Sequence, residues 1–136
     1  MKVIDGKNAT LGRLASYVAK EALQGEDIVI LDCSQVLITG GKENIKSDFE
    51  AKRKRVGSTQ GGPKISRSSE KIVKTTIRGM LPNYRHGRGR VAFKRIKCYA
   101  GTPKEFEGVK RISAGREHSQ SKSKIMQVGE IMKWGR

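Results

Sequence analysis

Aromatic side chains are scarce in this sequence, which limits how the protein can hold a partner. The 136 residues include one Trp, three Tyr and three Phe. A protein that binds single strands by stacking base after base needs more aromatic surface than this. The longest uncharged apolar runs have about four residues, whereas a helix that crosses a bilayer needs about 20. We therefore predict no membrane span and, because the N-terminus is charged within two residues, no signal peptide.

Cysteine and histidine are nearly absent, and their spacing offers no framework for a metal or for several disulfides. Cys33 and Cys98 belong to no CxxC pair, and His86 and His118 are far apart with no cysteine beside either. A zinc site needs such ligands close together. We predict no metal site and no cofactor. We interpret the cysteines as two reduced, half-buried thiols in a cytosolic protein, with a disulfide as the minor alternative.

Acidic residues are also few. Asp and Glu number 13 against 29 Lys and Arg, for a net charge of +16. Residues 1–41 hold four basic and five acidic residues, residues 42–95 hold sixteen and four, and residues 96–136 hold nine and four. Such an excess of positive charge indicates a polyanionic partner that is bound through its phosphates. The middle third is predicted to carry the binding surface.

Sequence templates for catalysis fail at specific positions. Residues 39–42, Thr-Gly-Gly-Lys, resemble part of a phosphate loop. The Walker spacing, however, needs a glycine at position 36, where Val36 stands, and Ser or Thr at position 43, where Glu43 stands. Residues 87–92 fit G-x-G-x-x-A, yet they follow a basic segment instead of a strand. No Gly-x-Ser-x-Gly elbow occurs. We predict no catalytic residue, no enzyme activity and no small-molecule substrate.

The length suits one domain, and the first third of the chain predicts its class. Val3 and Ile4 indicate a short strand. Apolar residues at spacings of three and four between Leu11 and Leu23 predict a helix that stops at Gly25. The uninterrupted run Ile28–Leu31 is typical of a strand buried on both faces, as in a parallel sheet. Strand, helix and strand form a β-α-β unit, which predicts an α/β fold.

The rest of the chain has weaker patterns. They predict a strand at 36–38, a helix from 42 to about 56 with Ile45, Phe49 and Val56 on one side, a helix capped by Ser68 or Ser69 with Ile72, Val73, Ile77, Met80 and Leu81 on one face, and a strand at 96–99. Residues 57–69 and 83–90 are predicted loops, 108–124 irregular, and 125–134 a little strand or helix.

Cations gather in two clusters. Residues 52–55, Lys-Arg-Lys-Arg, occupy consecutive helical positions about 100° apart, so they cannot all face one row of phosphates. A solvated helix end is the alternative to RNA contact there. The second cluster surrounds His86 and two glycines, which would let the backbone approach a phosphate closely. It consists of Arg85, Arg88, Arg90, Lys94 and Arg95.

The turn before the first helix has two interpretations. Residues 7–10, Lys-Asn-Ala-Thr, could bind a phosphate through free backbone amides and the Lys7 side chain. Capping of the helix by Asn8 or Thr10 is the simpler interpretation.

Several motifs together resemble one family. Residues 5–15, DGKNATLGRLA, resemble the opening of the large-ribosomal-subunit protein family numbered thirteen, and 36–40, VLITG, resemble a later segment. Most specific is IRGMLP at 77–82, followed by Gly87-Arg88 and then IKCYAG at 96–101. Cys98 departs from the aliphatic residue expected before the tyrosine. The basic 42–55 helix and the 125–134 ending resemble the archaeal and eukaryotic branch more than the bacterial one, and the short length favours the archaeal.

The resemblance implies a three-layer α/β/α fold around a small, mainly parallel sheet, with basic loops and a C-terminal extension. It places the core of a single domain (1–136) at about 1–101 and the extension at about 102–136. It also implies a structural protein that binds large-subunit rRNA beside neighbouring ribosomal proteins in the cytoplasm and supports assembly. In the 78–82 turn, Met80 and Leu81 should be core and Arg78 should face RNA. The predicted RNA-binding residues are Lys7, Arg13, Lys42, Lys52, Arg53, Lys54, Arg55, Lys64, Arg67, Arg78, Arg85, His86, Arg88, Arg90, Lys94 and Arg95.

Two other functional classes stay open at this point. A free-standing RNA or DNA chaperone would share the charge but would act without the ribosome. A small phosphate-ester enzyme would use the loops at Gly41-Lys42 and Gly87, and it would need a paired acid and base that the sequence does not offer.

Overall fold

A computed structural model describes residues 1–55, 57, 62, 64–114 and 124–134. The strands of these residues are β1 (Lys2–Asp5), β2 (Ile28–Leu31), β3 (Leu37–Thr39), β4 (Ile96–Cys98), β5 (Ile112–Ser113) and β6 (Ile125–Gln127). The α-helices are α1 (Leu11–Leu23), α2 (Lys42–Lys54), α3 (Ser69–Met80) and α4 (Gly87–Lys94). Short 3-10 turns occur at Cys33–Gln35, Lys104–Phe106 and Val128–Lys133.

A parallel sheet in the order β4-β2-β1-β5 is the centre of the fold. β1 pairs with β2 so that Ile4 lies opposite Ile30, and α1 connects the two strands. β3 and β6 form a separate antiparallel pair. The predicted β-α-β unit and the α/β fold class are therefore confirmed.

The two faces of the sheet have different covers. β2 is buried along its whole length, with Ile28 and Ile30 pointing to one face and Val29 and Leu31 to the other. The first face packs against α1, α3 and α4. On the second face Tyr99 and Phe106, whose rings lie 5.7 Å apart, cover the apolar side chains. The cover of this face thus comes from residues beyond β4.

The ends of α1 differ from the prediction. Neither Asn8 nor Thr10 caps the helix with its side chain, although Thr10 takes the N-cap position. Asn8 instead adopts the left-handed conformation with φ 60°, which makes the sharp turn into the helix. Leu23, predicted on the apolar stripe, is exposed, because it lies in the last turn where the helix leaves the core.

α2 and α3 follow the predicted ranges but differ in burial. α2 has no buried residue; Ile45 and Phe49 are half-buried, and Val56 lies outside the described residues. In α3, Val73 and Ile77 are buried. Met80 was expected in the core, but it is 44% exposed. The helix ends there, and the extended backbone at Leu81 turns that side chain inward instead.

Residues 87–94 form a helix where the sequence predicted a basic loop up to Arg90. Gly89 is buried against the preceding turn: a Cβ there would lie 2.5 Å from the carbonyl oxygen of Asn83 and closer still to that of Pro82. The prediction that Gly89 serves a close approach of RNA was therefore wrong, since the close approach is made by the chain itself.

The C-terminal residues contribute strands to both sheets. Ser113 and Ile112 in β5 pair with the end of β1, although 108–124 was predicted irregular; residues 115–123 lie outside the described part. The 125–134 segment contains both β6 and a 3-10 turn whose Val128 and Ile131 are buried. Ile112 and Ser113 form a strand because they pair with β1, which is distant in the sequence. Two residues are too few to show a strand pattern of their own.

Gly89 offers a direct test of this packing. We expect Gly89→Ala to lower the free energy of unfolding by about 1–3 kcal/mol or more, because the new methyl group meets two backbone carbonyls that cannot move independently. Gly79→Ala is the control: Gly79 lies in α3, is exposed, and has open space at its Cβ position. It should be neutral or stabilising by up to about 1 kcal/mol. Urea unfolding measures both; equal effects would contradict the packing.

Candidate nucleic-acid interface

Tyr84 is the centre of a cationic cluster at the corner between α3 and α4. The guanidinium of Arg78 lies over its ring at 4.8 Å from the centroid, and that of Arg85 at 5.5 Å. Arg85 also donates its Nε–H to the Tyr84 hydroxyl at 3.2 Å. Asn83 fixes the turn by accepting the backbone N–H of Arg85 at 3.1 Å. Two predicted site residues are therefore brought to one aromatic ring.

A second ring extends this cluster. Phe93 of α4 lies 6.1 Å from Tyr84 at a tilt of 57°, and the Lys74 ammonium lies over Phe93 at 4.9 Å. Lys74 and Arg78 are four residues apart on α3 and so share one face of the helix. We call Lys74, Arg78, Tyr84, Arg85 and Phe93 the aromatic corner. Sequence reasoning missed Lys74 and both rings, because they are brought together only when α3 and α4 pack on the same face of the sheet.

The other cations of this region lie beside the corner. His86, Arg88, Arg90 and Lys94 are exposed. Arg95 is half-buried and donates to the carbonyl oxygen of Ala22 at 3.3 Å, so it also completes the end of α1. These residues lie in α4 or directly beside it.

The end of α2 carries the second group of predicted cations. Lys52, Lys54 and Arg55 are exposed, whereas Arg53 is half-buried over Phe49 at 6.0 Å. Cations in the last turn also complement the helix dipole, which is a structural reason for their presence. Arg53 and Lys64, with Ile65 and Ser66, line an open pocket of about 420 Å³.

Side-chain contacts attach α2 to the C-terminal residues. Phe49 packs edge-on against Trp134 at 5.8 Å, and Lys42 forms an ion pair of 2.9 Å with Glu130. Arg67 donates to the carbonyl oxygen of Trp134 at 3.0 Å. Lys42 and Arg67, both predicted to bind RNA, thus also make contacts within the chain.

Three amides of the N-terminal turn are already hydrogen-bonded within the chain. The N–H groups of Lys7, Asn8 and Ala9 donate to the Asp5 carboxylate, to the Gln35 carbonyl and to the Gly6 carbonyl, respectively. These three amides are therefore not available to a phosphate, whereas the side chains of Lys7 and Arg13 are exposed.

A charged network that the sequence did not predict lies at the carboxyl ends of β1 and β2. Arg111 is 2.9 Å from the Asp32 carboxylate and 3.9 Å from that of Asp5, and it donates to Thr102 Oγ1 at 2.9 Å. The Thr102 hydroxyl in turn donates to Asp32 at 3.2 Å. The available signal was the position of Asp5 at the end of β1 and of Asp32 directly after β2. The network attaches the segment around 102–111 to the sheet.

The cysteines are neighbours in space. Both are free, with Cys33 buried and Cys98 half-buried. A hydrogen bond with Cys98 and burial raise the pKa of the Cys33 thiol, which keeps it protonated. In the described part of the chain, no group of three or more His, Cys, Asp or Glu is placed to hold a metal ion. Among the same residues, every helix is too short or too polar to cross a membrane.

Comparison with known proteins gives one consistent result. A sequence model of the family described as "Ribosomal protein L13" matches residues 1–105. The large ribosomal subunit protein uL13 of Methanocaldococcus jannaschii is 41% identical over 136 residues, covering 98% of this chain and 96% of the relative. The uL13 of Methanosarcina barkeri is 40% identical over 134 residues, covering 96% and 94%. That of Methanopyrus kandleri is 46% identical over 105 residues, covering 77% and 65%.

Removing Arg111 tests the charged network. We expect Arg111→Met to lower the free energy of unfolding by about 1–3 kcal/mol, because the variant keeps the aliphatic length but leaves the Asp32 carboxylate with Thr102 alone. Lys110→Met is the control at the neighbouring position. Lys110 is exposed and belongs to none of the ion pairs of the described residues, so its replacement should change the free energy of unfolding by less than about 0.5 kcal/mol. Equal losses in urea unfolding would show that the contacts of Arg111 do not stabilise the fold.

The ionisation of Tyr84 tests the aromatic corner. The hydrogen bond and positive charge of Arg85, with the charge of Arg78, lower the pKa of Tyr84 because they stabilise the phenolate. We expect Arg85→Gln to raise that pKa towards the ordinary tyrosine value. Tyrosinate absorbance measures it, after subtraction of the titration of a Tyr84→Phe variant. An unchanged titration would mean that Arg85 does not bind the hydroxyl in solution.

Proposed function

Because the chain belongs to the ribosomal protein L13 family, whose members are structural ribosomal proteins and not enzymes, we propose that it binds and organises large-subunit rRNA by contacting the phosphates of the RNA. The resemblance to this family and to its archaeal members, noted from the motifs, is confirmed. We further propose that it supports assembly of the subunit in the cytoplasm, in contact with neighbouring ribosomal proteins.

One observation carries the proposal: the stretch 71–104 contains ten Lys and Arg and no Asp or Glu. The ion pairs found in the described part of the chain involve none of these ten cations. Since α3 and α4 pack on the same face of the sheet, their cations are held near one another and repel. A polyanion such as RNA removes that repulsion by placing phosphates between them.

We propose that the cations predicted from the sequence contact RNA from the positions described above. The exposed side chains of α4, the end of α2, and Lys7 and Arg13 are free to reach phosphates. Arg67 and Arg95 each use one donor within the chain, and the guanidinium has further N–H groups for an oxygen of RNA. We also propose that 1–136 acts as one domain, with 102–136 as an extension that joins the core through β5 and β6.

The salt dependence of binding tests this function. We expect purified protein to bind deproteinised large-subunit rRNA of Methanocaldococcus jannaschii with a log-log salt slope of about −6 to −7 if about eight phosphates are neutralised. Joint replacement of Arg85, Arg88 and Arg90 by Gln should reduce the slope by about 2–3, since each contact contributes about 0.7–0.9.

The control removes the same charge elsewhere. Lys20, Lys110 and Lys133 are exposed and lie outside the proposed contacts, so their joint replacement by Gln should leave the slope close to that of the unmodified protein. A slope near zero for the unmodified protein would overturn the proposal. If both triple variants reduced the salt slope equally, the RNA interface would not lie at α4.

A further inference from the structure

We propose that Tyr84 and Phe93 are positioning residues for RNA binding, which hold Lys74, Arg78 and Arg85 in a fixed array before RNA arrives. This inference rests on the proposed function and deepens it, because it separates the residues that contact phosphate from those that order them. The partner that fits such an array is RNA at a place of dense phosphate, such as a sharp backbone turn.

Both the ring and the hydroxyl of Tyr84 contact arginines. Two guanidinium groups lie over its ring, and its hydroxyl accepts the Nε–H of Arg85. The backbone of Arg85 is fixed as well, by the side chain of Asn83. Arg85 is therefore held at its backbone and at its Nε, and its guanidinium lies over the Tyr84 ring, although the residue is exposed to solvent.

The rings themselves are anchored in the fold. Tyr84 and Phe93 are half-buried and contact each other, and Phe93 packs against the buried core. Lys74 and Arg78 extend from α3 onto the two rings, so the array connects α3, the turn before α4, and α4 itself. The two rings thus have fixed positions in the fold, and each cation has a defined place on one of them.

The physical gain is preorganisation. A long cationic side chain on a surface loses rotamer freedom when it binds phosphate. Here no acidic side chain of the described residues pairs with these cations, so repulsion would otherwise drive them apart. The quadrupole of each ring holds a cation at a defined place, and for an exposed pair this changes an equilibrium by about two- to fivefold.

A substitution that changes no charge tests the inference. We expect Tyr84→Leu to raise the Kd for the same deproteinised rRNA about three- to tenfold at fixed salt while leaving the salt slope unchanged, because every phosphate contact can still form. Tyr17→Leu is the matched control: Tyr17 is a half-buried tyrosine of α1 that packs against the core and takes part in none of the ring–cation contacts of the described residues. It should leave the Kd unchanged in folded protein.

A double-mutant cycle separates positioning from direct stacking on a base. In an Arg78→Gln, Arg85→Gln background, Tyr84→Leu should cause little further loss, since its effect passes through those arginines. A full additional loss would overturn the inference and make Tyr84 an RNA-contacting residue. An unchanged Kd for Tyr84→Leu, or a reduced salt slope, would also overturn it.

Tyr84→Phe covers the case in which Tyr84→Leu does not fold. This variant keeps the ring and loses only the hydroxyl that Arg85 binds, so we expect an increase in Kd of about twofold that disappears in the Arg85→Gln background. A Tyr84→Phe protein with an unchanged Kd would overturn the inference. Failure of the proposed function is a different result, namely a salt slope near zero for the unmodified protein.

Discussion

The burial of β2 on both faces is the constraint on which the rest of the fold depends. All four of its residues are removed from solvent, and the strand lies between β1 and β4. Each face therefore needs its own cover, supplied by α1, α3 and α4 on one side and by Tyr99 and Phe106 on the other. Because the apolar sides of these helices are used on the sheet, their outer sides are left for polar and charged residues.

This arrangement explains why the core residues and the positive charge are concentrated in different parts of the chain. Residues 1–41 are nearly balanced in charge and contain most of the large, fully buried side chains, such as Leu14 and Ile30. α3 and α4 contribute fewer core residues, chiefly Val73, Ile77 and Ala92, and carry much of the positive charge. A helix that needs only a narrow apolar stripe can present cations over the rest of its surface without disturbing the sheet.

Elements with their own apolar period could be predicted from the sequence, and elements made by distant contacts could not. β1, α1, β2 and α3 follow from spacing alone. α4 begins Gly-Arg-Gly-Arg, which is a poor helix sequence, and it forms because Gly89 packs on the carbonyls of residues 82 and 83. β5 depends on pairing with β1, and the Arg111 network on three segments distant in sequence. The cation-rich stretches were visible as charge, but their arrangement on Tyr84 and Phe93 required the packing of α4 on the core.

The two cationic surfaces differ in how their charges are held, and this difference bears on recognition. In the aromatic corner, Lys74, Arg78 and Arg85 each lie over a ring. At the end of α2, Arg53 alone has such a contact within the described residues. Cations without a fixed place neutralise whichever phosphates are near, and their contribution is mainly the release of counterions. Cations with a fixed place favour one spatial arrangement of phosphates. Proteins distinguish folded RNA largely by its shape. If the chain binds rRNA as proposed, we expect selectivity for a particular site to come from the corner and general affinity to come from α2.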